Sequence, residues 1–231
     1  MSTTPFALRY AAEDDVPSMV RLATDAFNAS GRSIDDVVFP KHLRTANSEQ
    51  DIFNWRVRSL RSRLLHHDVV VVVRQGEDGG PDDVAGWAEW QKPVEPGHEH
   101  SDTRTMTAEQ RVKETIARIG PFPDCIDHAK LKESGEVLDR ARMEALGEEG
   151  DKHMWTLQSL AVDIRYHRQG VGSMLVRWGL EKAQAEGKDL HLLATEDGRR
   201  LYLSLGFEDL KVPPVDYFTK THYLMTKRVA A

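Results

Sequence analysis

Apolar positions change period along the chain. Phe6 to Tyr10 predicts a short strand, and Val16, Met19, Val20, Ala23 and Phe27 then fall on one face at helical spacing. Asp14 or Asp15 is expected to cap that helix, with Pro17 in the first turn, where a missing N–H does no harm. Ser48 to Leu65 reads as a second helix. Its Ile52, Trp55, Leu60 and Leu64 are available for packing, and Arg56, Arg58, Arg61 and Arg63 are expected to form a solvated face. Val69 to Arg74 is a continuous β-branched run and Val84 to Trp90 a second strand, and the polar, glycine-rich stretch Glu77 to Asp83 between them predicts a hairpin.

From Gln91 to Lys152 the character changes. Pro93, Pro96 and Gly97 open a polar segment, after which Thr107 and Gln110 form a capping box for a helix ended by Gly120, Pro121 and Pro123. A further helix runs from about Ile126 to Leu146 and closes at Gly147. Residues 92–152 are thus expected to be a helical insertion in a single domain spanning 1–231, lying against the main fold and shaping an acceptor pocket. Beyond it, Trp155 to Val162 predicts a strand, Gly170 to Ala185 a helix closed by Gly187, and Leu190 to Ala194 another strand. A short helix at Gly198 to Leu205, ended by Gly206, precedes a last strand near Tyr217 to Thr226.

Composition narrows the function classes. With 231 residues, 40% of them hydrophobic and 29% charged, the chain can bury one substantial core and is not a disordered protein. A formal net charge of -6 offers no general field for a nucleic-acid backbone, so any anion site must be local. No long apolar run or secretory leader is evident, which gives the expectation of a cytoplasmic protein with no membrane partner. Cys125 is the single cysteine and lies in a loop-like stretch, which excludes an intrachain disulfide framework and leaves a bland role the expected one. His98-Glu99-His100 lacks helical or hairpin spacing, and no metal is expected there.

The most informative segment is His167-Arg168-Gln169-Gly170-Val171-Gly172-Ser173, between a strand and a helix. Backbone N–H groups at a helix start have no intrahelical partners, and the positive end of the helix dipole favours an anion such as a pyrophosphate. Gly170 and Gly172 allow close approach to the backbone, and Arg168 adds a charge. The absence of Gly-Lys-Ser/Thr excludes a Walker loop. A dinucleotide fingerprint fits poorly: Leu175 replaces the small third residue, Asp189 precedes the next strand, and the turn does not follow its strand directly.

Leu160-Ala161-Val162 followed by Arg168-Gln169-Gly170-Val171-Gly172 resembles the cofactor motif of the GNAT N-acetyltransferase superfamily, with His167 standing where that family usually has Gln or Arg. Leu201-Tyr202-Leu203-Ser204-Leu205-Gly206-Phe207 resembles its second motif, Phe6 to Phe27 its first strand and helix, and Val84 to Trp87 its third strand. The long insertion is similar to that of fungal-type members. The resemblance implies an α+β fold with a mixed, mostly antiparallel twisted sheet flanked by helices, and acetyl-CoA as co-substrate.

The resemblance also implies roles. Leu160, Ala161, Val162, His167, Arg168, Gln169, Gly170, Val171, Gly172, Ser173 and Thr195 would contact acetyl-CoA, with two strands splaying after Leu160 and around Ala194 to receive its arm. A backbone N–H near Leu160 to Val162 would face the carbonyl oxygen. Tyr202 would act as general acid toward the leaving thiolate. Glu89 is the first candidate for the base, on the same strand face as Trp87 and with a pKa raised by desolvation; His153 is the second. The acceptor would be a small-molecule amine or a protein lysine. A non-catalytic acetyl-CoA-binding sensor or scaffold is the alternative, and oligomeric state is left open.

Overall fold

The computed structural model describes residues 6–28, 34–76, 82–94, 103–147 and 150–229. Its strands are β1 (Phe6–Tyr10), β2 (Asp68–Arg74), β3 (Asp83–Gln91), β4 (Trp155–Val162), β5 (Leu190–Thr195), β6 (Glu208–Asp209), β7 (Val215–Tyr217) and β8 (Lys220–Lys227). They form one sheet in the order β1-β2-β3-β4-β5-β8-β6, with β7 also paired to β8. Every pairing is antiparallel except β4 with β5. The helices are α1 (Val16–Asn28), α2 (Ile34–Val38), α3 (Ser48–Leu64), α4 (Ala108–Ile119), α5 (His128–Leu146), α6 (Val171–Glu186) and α7 (Glu196–Ser204).

The β-branched run of β2 is apolar throughout because both of its faces are covered. Val69, Val71 and Val73 pack with Met19, Val20 and Leu60 of α1 and α3, while Val70 and Val72 pack with Leu175 and Val176 of α6. The same two-sided logic places Trp87 against α1 and Trp90 against α6. Trp90 is fully buried, and α6 reaches it only because position 179 is glycine: a Cβ there would lie 2.3 Å from the indole Cζ2. Gly179→Ala should therefore overpack this layer and cost about 3 kcal/mol, read as a lower urea midpoint at unchanged slope. An unchanged midpoint would show that the indole can move aside.

Several expected boundaries shift for local reasons. The turn before α1 begins at Ala12, which has no capping side chain; Asp15 instead accepts Ala12 N–H at 2.7 Å and pairs with Arg9. On α1 the buried positions are Val16, Met19, Val20 and Leu22, whereas Ala23 and Phe27 are half-buried and line open space. The expected last strand is two, β7 and β8, joined by a tight turn at Phe218 with φ 54°. α7 starts at Glu196, because Thr195 Oγ1 accepts the Gly198 N–H at 3.2 Å and fixes the N-terminus there.

Between β3 and β4 the chain builds α4 and α5, with the Thr107–Gln110 capping box reciprocated at 2.8 and 3.2 Å. α4 packs against α3, and α5 meets α2, α4 and β7. Cys125 is buried with Val38, Phe39, Ile52 and Ile126 in the small core that joins this segment to α2 and α3. His98-Glu99-His100 and most of the β2–β3 turn lie outside the described residues. No described helix is long and apolar enough to cross a membrane.

Candidate active site

β4 and β5 run side by side only over Trp155–Leu157 and Leu190–Leu192. Beyond Leu157 they part, three residues earlier than the sequence suggested. A register shift between Glu89 and Trp90 leaves Gln158 unmatched on β4 at that point, and such bulges re-aim a strand. The far half of β4 stays paired to β3 through Leu160, Ala161 and Val162, so its other edge presents backbone groups to the gap.

A cleft of about 930 Å³ fills this gap and runs to the start of α6. It is lined by Leu160, Ala161, Val162, His167, Arg168, Gly170, Val171, Gly172, Ser173 and Thr195, ten of the eleven expected cofactor residues. Gln169 is the exception: its side-chain amide turns away and donates to Arg165 O at 3.0 Å. The first bond into α6 is Met174 N–H to Gly170 O, which leaves the N–H groups of Val171, Gly172 and Ser173 ahead of it without helical partners. Arg168, Arg200 and Lys220 add positive charge around them.

The turn is held in shape by its own contacts. Gly170 has φ 89°, a left-handed conformation that glycine adopts without strain, and Arg168 accepts φ 61° beside it. His167 does not reach out as a side-chain ligand; its Nε2–H donates to Val162 O at 3.1 Å and ties the turn to β4. Asp163 caps the preceding turn through Arg165 N–H, Arg165 bridges Asp163 and Asp83, and Tyr166 Oη donates to Asp83 at 2.8 Å. The eight residues between strand and helix, with the 3-10 turn Ile164–Tyr166 among them, are thus pinned rather than slack.

Tyr202 lies beneath the cleft wall formed by Gly198 and Leu201. A Cβ at Gly198 would sit 3.3 Å from Tyr202 Cε2, so the absence of a side chain there is what brings the phenol edge close to the cleft. Its ring stacks edge-on with Phe207 at 5.9 Å, and its hydroxyl makes no hydrogen bond to a described residue. Burial pushes the phenol pKa well above its ordinary value, so the group is protonated across the physiological range.

A second cavity, about 190 Å³, opens beside the first between α1, α3 and the sheet. Phe27 lines both, and Ser159 in its wall adjoins Leu160 in the cleft. Trp55, Trp87, Val20 and Leu60 make it largely apolar. Here the expected solvated arginine face of α3 is corrected in part: Arg58 and Arg61 are exposed, but Arg56 and Arg63 are half-buried. Arg56 pairs with Asp35 and donates to Thr24, Arg58 donates to Ile119 O at 2.9 Å, and Arg63 pairs with Glu89 at 2.9 Å.

Glu89 also departs from expectation. It is 2% exposed, as its face demands, but it does not line either cavity, and both oxygens are engaged, one by Arg63 and one by His67 Nδ1–H at 2.5 Å. Burial pushes its carboxyl up, yet the Arg63 charge and the His67 hydrogen bond outweigh that, leaving the pKa below the ordinary range. Because the folded pKa is depressed, the group's contribution to stability is complete above the unfolded value of about 4.3 and is lost as pH falls through the folded one. Glu89→Gln should cost about 2 kcal/mol at pH 7, with the half-exposed Arg63 moderating the loss, and the cost should shrink near pH 3. Urea unfolding at both pH values checks it. His153 sits at the opposite end of β4 from the cleft and lines neither cavity, so it is not placed to act as a base.

Residues 129–209, from α5 through the turn, α6 and α7 to β6, match the model of the acetyltransferase (GNAT) domain. Over that third of the chain the sequence is similar to a GNAT acetyltransferase domain. No curated protein matches the chain. A histone acetyltransferase-related protein from Corynebacterium glutamicum aligns over 98% of this chain and 97% of its own, at 18% identity and TM-score 0.57. A mosquito arylalkylamine N-acetyltransferase-like protein aligns over 96% and 99%, at 16% identity and TM-score 0.56. Salmonella typhimurium yncA, solved with its cofactor acetyl-CoA, aligns over 98% and 95%, at 14% identity and TM-score 0.53. At these identities the structures establish a shared fold.

GNAT domains are acetyl-CoA-dependent acyltransferases, and the cleft fits that group on the structure's own terms. Unpartnered N–H groups at a helix start suit a pyrophosphate, and the unpaired edge of β4 suits an amide-bearing arm that adds as a partial strand. Sequence reasoning missed the second cavity. Its walls come from α1, α2, α3, β3 and β4, and no local motif marks their meeting.

Proposed function

We propose that the protein is an N-acetyltransferase that passes the acetyl group of acetyl-CoA to a primary amine by direct attack. The observation that carries this reading is the junction at Phe27 and Ser159, where the cleft against α6 meets an apolar cavity large enough for an amine-bearing chain. Acetyl-CoA supplies a thioester carbonyl, to which the amine nitrogen bonds as the carbon–sulfur bond breaks.

The chain's residues divide the remaining work. Val171 to Ser173 N–H groups and Arg168 hold the phosphates, and Leu160 to Val162 align the arm and offer a backbone N–H toward the developing oxyanion. Tyr202 Oη gives its proton to the departing sulfur. Glu89 is a positioning residue that holds Arg63 at the wall of the acceptor cavity, and the amine's proton leaves to solvent through that open cavity.

The test is thiol release from acetyl-CoA with a panel of primary amines and lysine peptides. Release that depends on the amine supports transfer. Micromolar acetyl-CoA binding with no release for any amine would overturn it in favour of a binding module.

A further inference from the structure

A third cavity, about 270 Å³, lies behind the acceptor cavity, enclosed by α3, α4 and α5. The two share Trp55, Ser59 and Arg63 along one face of α3, so they adjoin through that wall. Their chemistry differs. The acceptor cavity is mostly apolar, whereas the third is lined by Arg63, Arg111, Arg118 and Lys132 and by no carboxylate among the described residues. Arg63 and Arg111 are held by Glu89 and Asp139 from outside the cavity, and Lys132 lies 3.9 Å from Glu136. Arg118 makes no ion pair with a described residue. Behind Arg111, burial lowers the Arg142 pKa, and the Arg111 charge adds to that against Asp151 and Asp139. Trp55 adds a buried indole N–H with no acceptor among the described residues, at the wall the two cavities share.

A concentration of cations with an orphaned donor, in a chain of net charge -6, is a local site for a negative group. We infer that the acceptor is an amine carrying a carboxylate at its far end, its chain crossing the apolar cavity and its carboxylate seated among Trp55, Arg63, Arg111 and Arg118. The inference rests on the reading of the apolar cavity as the acceptor site. It also gives the segment between β3 and β4 a role in recognition, since α4 has no fully buried residue and its half-buried Arg111, Val112 and Thr115 face this chamber.

The experiment measures product binding, which needs no turnover. Wild type saturated with coenzyme A is titrated calorimetrically with N-acetyl-ω-amino acids of roughly three to eight methylenes and with the matching primary carboxamides. For at least one length the acid is expected to bind about 30-fold more tightly than the amide. Arg118→Glu, on an exposed position, should abolish that preference, and Arg118→Lys should keep most of it. Equal binding of acid and amide at every length, no binding of either, or a preference untouched by Arg118→Glu would overturn the inference. A preference for the acid in a protein that releases no thiol with any amine would sink the transfer reading and leave the anion subsite standing.

Discussion

Gly172→Glu should abolish measurable acetyl-CoA binding, weakening it at least about 100-fold in a calorimetric titration, while the unfolding midpoint moves little. The substitution places a carboxylate at the N-terminus of α6, among the N–H groups free to receive phosphate oxygens. Two like charges some 4 Å apart at an effective dielectric of about 20 repel by about 4 kcal/mol, which exceeds what 100-fold requires. Sterics alone would do less: a Cβ at position 172 meets Leu201 Cδ2 at 3.1 Å, the far end of a side chain that can give way. Gly172→Ala is therefore the control and should bind within about threefold of wild type, given that Gly172 has no positive φ to lose. Equal weakening in both variants would mean that the glycine serves packing against α7 and that the phosphates bind elsewhere.

That control matters because the turn was the most legible part of the sequence, and its legibility has a physical cause. Gly170 and Gly172, the following apolar helix and the closing Gly187 are all local, and a motif of local backbone chemistry can be read from local order. The same holds for the β2–β3 hairpin, for the Thr107–Gln110 cap and for the helices ended by Gly120 and Gly147. His167 shows the limit of such reading. Its position in the motif suggested a ligand, but its ring bonds back to Val162 O.

The acceptor side was illegible because its contacts join distant residues. Arg56 meets Asp35, Arg63 meets Glu89 and Arg58 meets Ile119, across 21, 26 and 61 positions. From sequence the four arginines of α3 had no visible partners, and a solvated face was the natural expectation. Glu89 fails as a raised-pKa base for the same reason, since both groups that lower its pKa come from the α3 end of the chain. The short helix α2, which supplies Asp35, is five residues long and too brief for a periodic pattern to register. What the sequence could carry was the prediction that α4 and α5 would border the acceptor. α4 and α5 supply no described residue to the apolar cavity; they line the adjoining cationic one, a wall of charge that no spacing rule discloses.

Tyr202→Phe should lower kcat by about 100-fold or more and leave acetyl-CoA affinity unchanged. The ring is retained and its edge contact with Phe207 survives, and the hydroxyl has no described partner to lose, so folding stability should be unaffected. The raised phenol pKa sets the sign of the pH behaviour: the hydroxyl stays protonated as a donor, and any alkaline fall in rate below about pH 10 must come from another group. A leaving group that needs no proton separates an acid from a packing residue. With acetyl-seleno-CoA, whose selenolate departs readily as an anion, the variant should recover most of the lost rate, whereas a merely mispositioned site would stay slow with either substrate. Wild-type rates in the Phe variant with acetyl-CoA would assign Tyr202 to the core alone and move the proton donation to water in the cleft.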